Sequence, residues 1–273
     1  MSELTSTEQR AADSPRALNR ARFVGLKTIV IREYSRIIRI WAQTIVPSAV
    51  TSALYFVIFG SLIGKRVGLM DGVPYMQFIA PGLIMMSVIT NSYGNVVSSF
   101  FGAKFGKHVE ELLVAPLPNW IIVLGYVLGG LLRGLLVGAA VTIVSLVFTR
   151  LPVHHAFVIL AAVVLTSVVF SLGGFINAQF AKNFDQVNWI PTFVLTPLTY
   201  FGGVFYSISL LPEWAQHISH ANPILHMVNA FRYGFLGTSD VNVYVAFSIM
   251  LASAVALFAV ALFFMNRGTG MRE

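Results

Sequence analysis

Residues 120–147 read WIIVLGYVLGGLLRGLLVGAAVTIVSLV. In these 28 residues there is one charge, Arg133, and no acid. The hydrocarbon core of a bilayer is about 30 Å thick, and a helix of about 20 apolar residues crosses it. This run is long enough, and little in it but Arg133 needs water, so the stretch reads as a transmembrane helix. Gly125, Gly129, Gly130, Gly134 and Gly138 make overlapping small-xxx-small steps, which let helices approach closely. An arginine at this depth is costly unless it pairs or meets water, and no predicted span holds a carboxylate. Two readings stay open for Arg133. It lines or gates a polar path, or it is a staple to backbone carbonyls.

The rest of the 273-residue chain has the same character, with 56% hydrophobic and 11% charged residues and a mean hydropathy of +0.77. A soluble domain carries about 25% charged residues. The composition therefore predicts an all-α integral membrane protein with no room for a large soluble domain. Cysteine is absent, which excludes a disulfide framework and a thiolate metal site. The first twenty residues are polar and lack the apolar core of a secretory signal, so the first span is expected to act as the insertion signal. A net charge of +7 raises the question of nucleic acid, but eight of the eighteen Lys and Arg lie before Trp41, at the mouth of the first span. That is the positive charge of a cytoplasmic membrane entry, and it points to the lipid bilayer as the partner.

Six spans are expected, at 42–63, 76–99, 120–147, 156–178, 187–207 and 243–265. Residues 1–17 read as a disordered tail and 18–273 as a single transmembrane domain. Within it, 18–40 is an amphipathic helix, with Leu26, Val30, Tyr34, Ile37 and Trp41 on one stripe and Arg32, Arg36 and Arg39 on another. Such a helix lies in the headgroup region. With both termini cytoplasmic, thirteen Lys and Arg fall inside, four outside, and Arg133 within a span, which supports this orientation. Residues 208–240 are too apolar for an open loop and too broken by Pro212 and Pro223 for a span. They read as two re-entrant helices on the outer side.

Several chemistries fail for want of residues. The absence of an intramembrane carboxylate argues against an ion-coupled carrier. GSLIGKR at 60–66 and GAKFGKH at 102–108 have three residues between their glycines and no Ser or Thr after Lys, so neither is a phosphate loop. No ATP hydrolysis, cofactor or metal is expected in this chain. Glu213, His217 and His220 share a helical face, but without a second carboxylate. Aromatic residues gather in the first and fifth spans, at Tyr55, Phe59, Tyr200, Phe201 and Phe205. They fit either a path that stacks on sugars and lipids or an ordinary aromatic belt.

The stretches YMQFIAPGLIMMSVITNSYGNVVSSFFGAKF (75–105), VEELLVAPLP (109–118), FVLTPLTYFGGVFYSISLLP (193–212) and NPILHMVNAFRYGFLG (222–237) carry a resemblance. The chain is similar to the ABC-2 type permeases, the membrane subunits of ABC exporters, and to their YadH-like and nodulation-exporter-like bacterial members. The resemblance runs from about residue 22 to 268. It implies a multi-pass protein of the bacterial inner membrane that forms a homodimer and carries two copies of a separate ABC ATPase subunit, where ATP and Mg bind. It implies outward movement of a glycan, lipid-linked or drug-like amphipathic cargo. On such a path, the residues' own character makes Tyr55, Phe59, Arg133, Tyr200, Phe201 and Phe205 the candidates to line it. The cytoplasmic stretch 101–118 would be the coupling helix to the ATPase, through Lys104, Phe105, Lys107, His108, Val109, Glu110, Glu111, Leu112 and Leu113. The amphipathic helix at 18–40 would be a second contact, and the turn at 181–187 a weaker third. Two other classes stand beside this reading: a membrane scaffold or assembly protein, and a membrane enzyme acting on a lipid-linked substrate.

Overall fold

The structure is a computed structural model and describes residues 15–109, 114 and 117–270. Helix α1 covers Pro15–Arg39. After a break at Ile40 the chain continues as α2, Trp41–Tyr55, a π-helical segment, Phe56–Ile63, and the short α3, Gly64–Val67. A hairpin follows, β1 (Leu69–Met70) against β2 (Val73–Pro74). This strand pair departs from the all-α expectation. Its cause is Asp71-Gly72, both at positive φ, the dipeptide that two-residue hairpin turns favour.

Helix α4, Tyr75–Phe105, is the axis of the bundle. At 1.5 Å per residue its 31 residues span about 46 Å. It packs along α5, Asn119–Phe148, and α6, Ala156–Phe180, and its outer end meets α10, Pro223–Leu236. Small residues set these contacts. Gly130 faces Ser171 and Ser92, Gly134 faces Ser92 and Ser167, and Gly138 faces Val88. At Gly174 of α6, a side-chain carbon would come 2.5 Å from the Tyr93 carbonyl oxygen. The glycine steps of the opening stretch are thus where backbones approach, as the spacing predicts. Helix α11, Val243–Arg267, closes the bundle against α6 and α10.

Four described helices are long and apolar enough to cross a membrane: Trp41–Gly60, Asn119–Phe148, Ala156–Phe180 and Val243–Arg267. They coincide with the first, third, fourth and sixth expected spans. The second falls in α4, which has the length but is seamed with Ser87, Asn91, Ser92, Asn95, Ser98 and Ser99. Protein rather than lipid surrounds most of α4, so it tolerates that polarity. The expected fifth span is not one helix. It divides into α7, Phe184–Ile190, a π-helical segment, Pro191–Leu195, and α8, Thr196–Tyr200, and then turns at Gly203. Pro191 and Pro197 each lack the N–H a continuous helix would donate, and Pro191 O accepts both the Thr196 N–H and the Thr196 hydroxyl. Residues 208–240 contain two helices, α9 (Glu213–Ala221) and α10. Trp214 and Ile218 of α9 are exposed, whereas most of α10 is buried.

Helix α1 does not stand apart from the bundle. Ile29 packs where Gly125 of α5 leaves room, and Glu33 where Gly129 does, so α1 runs parallel to the first half of α5. Of the expected stripe, Ile37 is buried and Leu26 and Val30 are half-buried, but Tyr34 and Trp41 face outward. The inward face carries Glu33 and Arg36 instead.

Candidate translocation groove and cytoplasmic coupling surface

Helices α2 and α4 run antiparallel and leave a cavity of about 200 Å³ between them. Ser48, Thr51, Ser52, Ser87, Thr90 and Asn91 bring hydroxyl and amide groups to it, alongside the apolar Pro47, Leu83 and Met86. Asn91 Nδ2 donates to Ser48 Oγ at 3.0 Å and to Ser87 O at 3.0 Å. Ser52 and Ser87 share a hydrogen bond of 3.4 Å. These groups recur every three or four residues on each helix, so local helical geometry alone puts them on one face. That periodic seam of small polar residues was the available signal in the sequence. The aromatic residues drew the reading away from it.

Tyr55 closes the outer end of the cavity. The Phe205 ring stacks on Phe59 at 4.8 Å and Tyr200 at 5.8 Å, and meets Tyr55 edge-on at 5.6 Å. Two backbone clamps hold this cluster. Tyr75 Oη donates to Phe205 O at 3.0 Å, and Tyr206 Oη donates to Tyr200 O at 2.8 Å. Four of the six residues expected on the path thus come together. Phe201 makes none of these ring contacts, and Arg133 lies elsewhere, in the first half of α5.

At the far end of α4, expected to be cytoplasmic, Lys104 Nζ donates to Gln179 O at 2.8 Å and Ala181 O at 2.9 Å. A lysine on the last carbonyls of α6 is favoured by the negative end of that helix. Phe184 of α7 packs edge-on to Phe101 at 5.0 Å and meets Phe105 at 5.4 Å. Phe105 is still 66% exposed, Val109 is buried, and Lys107 and His108 are exposed. Lys107 takes a positive φ of 59°, which ends α4 after Gly106. Asn183 caps α7, accepting from Gln186 N at 2.9 Å. The C-terminal end joins as well, since Gln179 Nε2 donates to Thr269 O at 3.1 Å. The end of α4, the 181–187 turn and the end of α11 therefore form one surface. Glu110, Glu111, Leu112 and Leu113 lie outside the described residues.

Two charged centres escaped the sequence reading. Glu33 is fully buried. It pairs with Arg36 at 2.9 Å and Arg32 at 3.8 Å, and accepts from Asn95 Nδ2 at 3.3 Å and from the Ser99 hydroxyl. Arg36 also donates to Asn95 O at 3.1 Å and Oδ1 at 2.8 Å, and Arg32 to Tyr126 Oη at 2.5 Å. Asn95 and Ser98 continue the polar seam of Ser87 and Asn91, so one polar line follows α4 from the groove to this cluster.

The second centre is Arg232 of α10, 1% exposed. It donates to Phe78 O at 3.3 Å, Gly203 O at 2.6 Å and Asn229 Oδ1 at 3.3 Å, and pairs with Asp240 at 3.8 Å. Its guanidinium sits 3.9 Å over the Phe78 ring. Burial pushes its pKa down to about 10 against the pull of Asp240 and Asp71, so it stays charged at neutral pH. Among the described residues no group of three His, Asp or Glu side chains gathers to hold a metal. His217 Nδ1 instead lies 2.7 Å from Glu213 O on its own helix.

The chain is similar in sequence to known proteins. The family model described as ABC-2 type transporter matches residues 24–236. The inner membrane transport permease YadH of Escherichia coli K12 is 54% identical over 251 residues, 92% of this chain and 98% of its own. Nodulation protein J of Sinorhizobium fredii is 27% identical over 212 residues, 77% of this chain and 79% of its own. The Rhizobium leguminosarum protein of that name is 26% identical over 218 residues, 78% of this chain and 83% of its own. With the family matched across most of its length and a relative 54% identical over 92% of it, the chain belongs to the ABC-2 type transporter family, as a membrane permease subunit.

Proposed function

We propose that this permease moves an amphipathic cargo with a glycan or similarly hydroxyl-rich part outward across the bacterial inner membrane. A separate ABC ATPase, bound in two copies to a permease homodimer, supplies the energy. The observation that carries the reading is the polar seam of α2 and α4. It ends at the rings of Tyr55, Phe59, Tyr200 and Phe205. Ser, Thr and Asn side chains exchange hydrogen bonds with sugar hydroxyls, and aromatic faces take the apolar faces of sugars or lipid chains. Family membership and the relatives' names, a transport permease and nodulation proteins, agree with it.

In this reading the chain crosses the membrane six times, with α4 as the second crossing and the divided α7–α8 segment as the fifth. Helices α9 and α10 dip back from the outer side, and both termini are cytoplasmic. ATP closes the ATPase pair, and the permease feels this through the surface at 101–109 and 181–187. The exposed Phe105 ring fits a groove on the partner. ATP shifts the permease only as far as it favours one of its two states.

The test is copurification of the chain with an ATPase, then mass spectrometry of bound lipids and glycans and ATP-driven uptake into inverted vesicles. An ATPase partner and ATP-dependent accumulation of a glycan or glycolipid are expected. Absence of any ATPase, in the preparation and among neighbouring reading frames, would sink the proposal in favour of a scaffold.

A further inference from the structure

Arg133 has no hydrogen bond or ion pair among the described residues, and its Nε is buried without a partner. The staple to backbone carbonyls is therefore not made. Ile29 faces Gly125 and Glu33 faces Gly129, so the shared register places Arg133 level with Ile37, one turn beyond Glu33 and beside Arg36. Arg32 and Arg36 pair with Glu33, whose oxygens are already taken by Arg36, Arg32, Asn95 and Ser99, and Arg133 lies beyond it with no ion pair to that carboxylate. Arg36 Nε is also buried and unpaired. An unneutralised guanidinium inside a bundle at this depth is expensive, and an anion relieves it.

We propose that Arg133, with Arg36 beside it, holds the phosphate of a membrane amphiphile midway along α5, where α1 packs against it. Guanidinium forks match phosphate oxygens in geometry and charge. The surroundings select a lipid-borne phosphate over a free one. Ile31, Ile38 and Trp41, on the outward side of α1 and the start of α2, are about half exposed, as is part of Leu136 one turn from Arg133. They give an acyl chain a surface to lie on. The inference stands on Arg133 and Arg36 and holds for a resident phospholipid as well as for a cargo.

Native mass spectrometry of the full chain, incubated in mixed micelles with equal phosphatidylglycerol and phosphatidylcholine, tests it. The wild type should retain phosphatidylglycerol selectively. Arg133→Gln should retain it about tenfold more weakly, as expected for the loss of a charge-assisted pair, and Arg133→Lys should recover part of the loss. Arg39→Gln, on the outward basic side, should bind as the wild type does. Undiminished selectivity in Arg133→Gln overturns the proposal, as does an equal loss in Arg39→Gln, which would mark diffuse charge attraction. No recovery in Arg133→Lys would assign the loss to misfolding and count against the site. Displacement of the lipid by millimolar inorganic phosphate would overturn the lipid assignment.

Discussion

At the scale of single residues, Glu33 is the most telling. Its neighbours Arg32 and Arg36 read as part of a basic stripe, and Glu33 lies between them in sequence. In the folded chain the order is reversed: Glu33 is buried and the arginines are arranged around it. No pattern on α1 alone reveals this, because the decisive partners, Asn95, Ser99 and the space at Gly129, lie 62 to 96 positions away. Removing the acid leaves Arg36 and Asn95 with unmet bonds inside the bundle. Glu33→Ala should therefore destabilise the protein by about 2–3 kcal/mol, the lower end for a buried pair because Arg36 keeps some water contact. Glu33→Gln should cost less, since the amide still accepts from Arg36. Thermal unfolding in detergent, wild type against both variants, reads the order.

At the scale of elements, helix existence was legible and helix continuity was not. The apolar runs marked α2, α5, α6 and α11 because lipid leaves a chain few alternatives. Helix α4 was legible by length, but its burial was not, since a polar seam looks alike whether it faces water or protein. Pro191 and Pro197 announced a disturbed fifth span without saying where the breaks fall. For the groove, the expected outcome is specific. Ser52→Leu or Ser87→Leu fills a cavity of about 200 Å³ with methyl groups. Either change should cut cargo transport severely while ATP hydrolysis continues, checked by vesicle uptake beside phosphate release. At the cytoplasmic surface, Lys104→Met breaks two bonds to the end of α6, and Phe184→Ala removes the ring between Phe101 and Phe105. Both should leave the permease folded but separate ATP use from transport. Transport that stays proportional to hydrolysis in both variants would remove 101–109 and 181–187 from the coupling pathway.

For the whole molecule, charge asymmetry and family resemblance suggested an orientation that four apolar helices do not by themselves establish. The chain offers its own assay because it has no cysteine. Lys107→Cys should react with a membrane-impermeant maleimide only after the membrane is opened, and Asp71→Cys, in the turn of the hairpin, in intact spheroplasts. The reverse pattern would invert the orientation. The large-scale plan was readable because hydropathy, charge and proline positions are local properties. The arginine centres were not, because each is closed by groups from three or more separate segments.

Arg232 ties the carbonyls of Phe78 and Gly203 to Asn229 and Asp240. In mechanical terms it is a pin through a joint. Pulling the α10 end away from α4 breaks several bonds at once and strands a charge, so that seam does not slide. Motion on the outer side is therefore carried by blocks. The top of α4, the Gly203 turn and α10 are held together as one piece, and under the proposed export the exit would open at the edge of that piece.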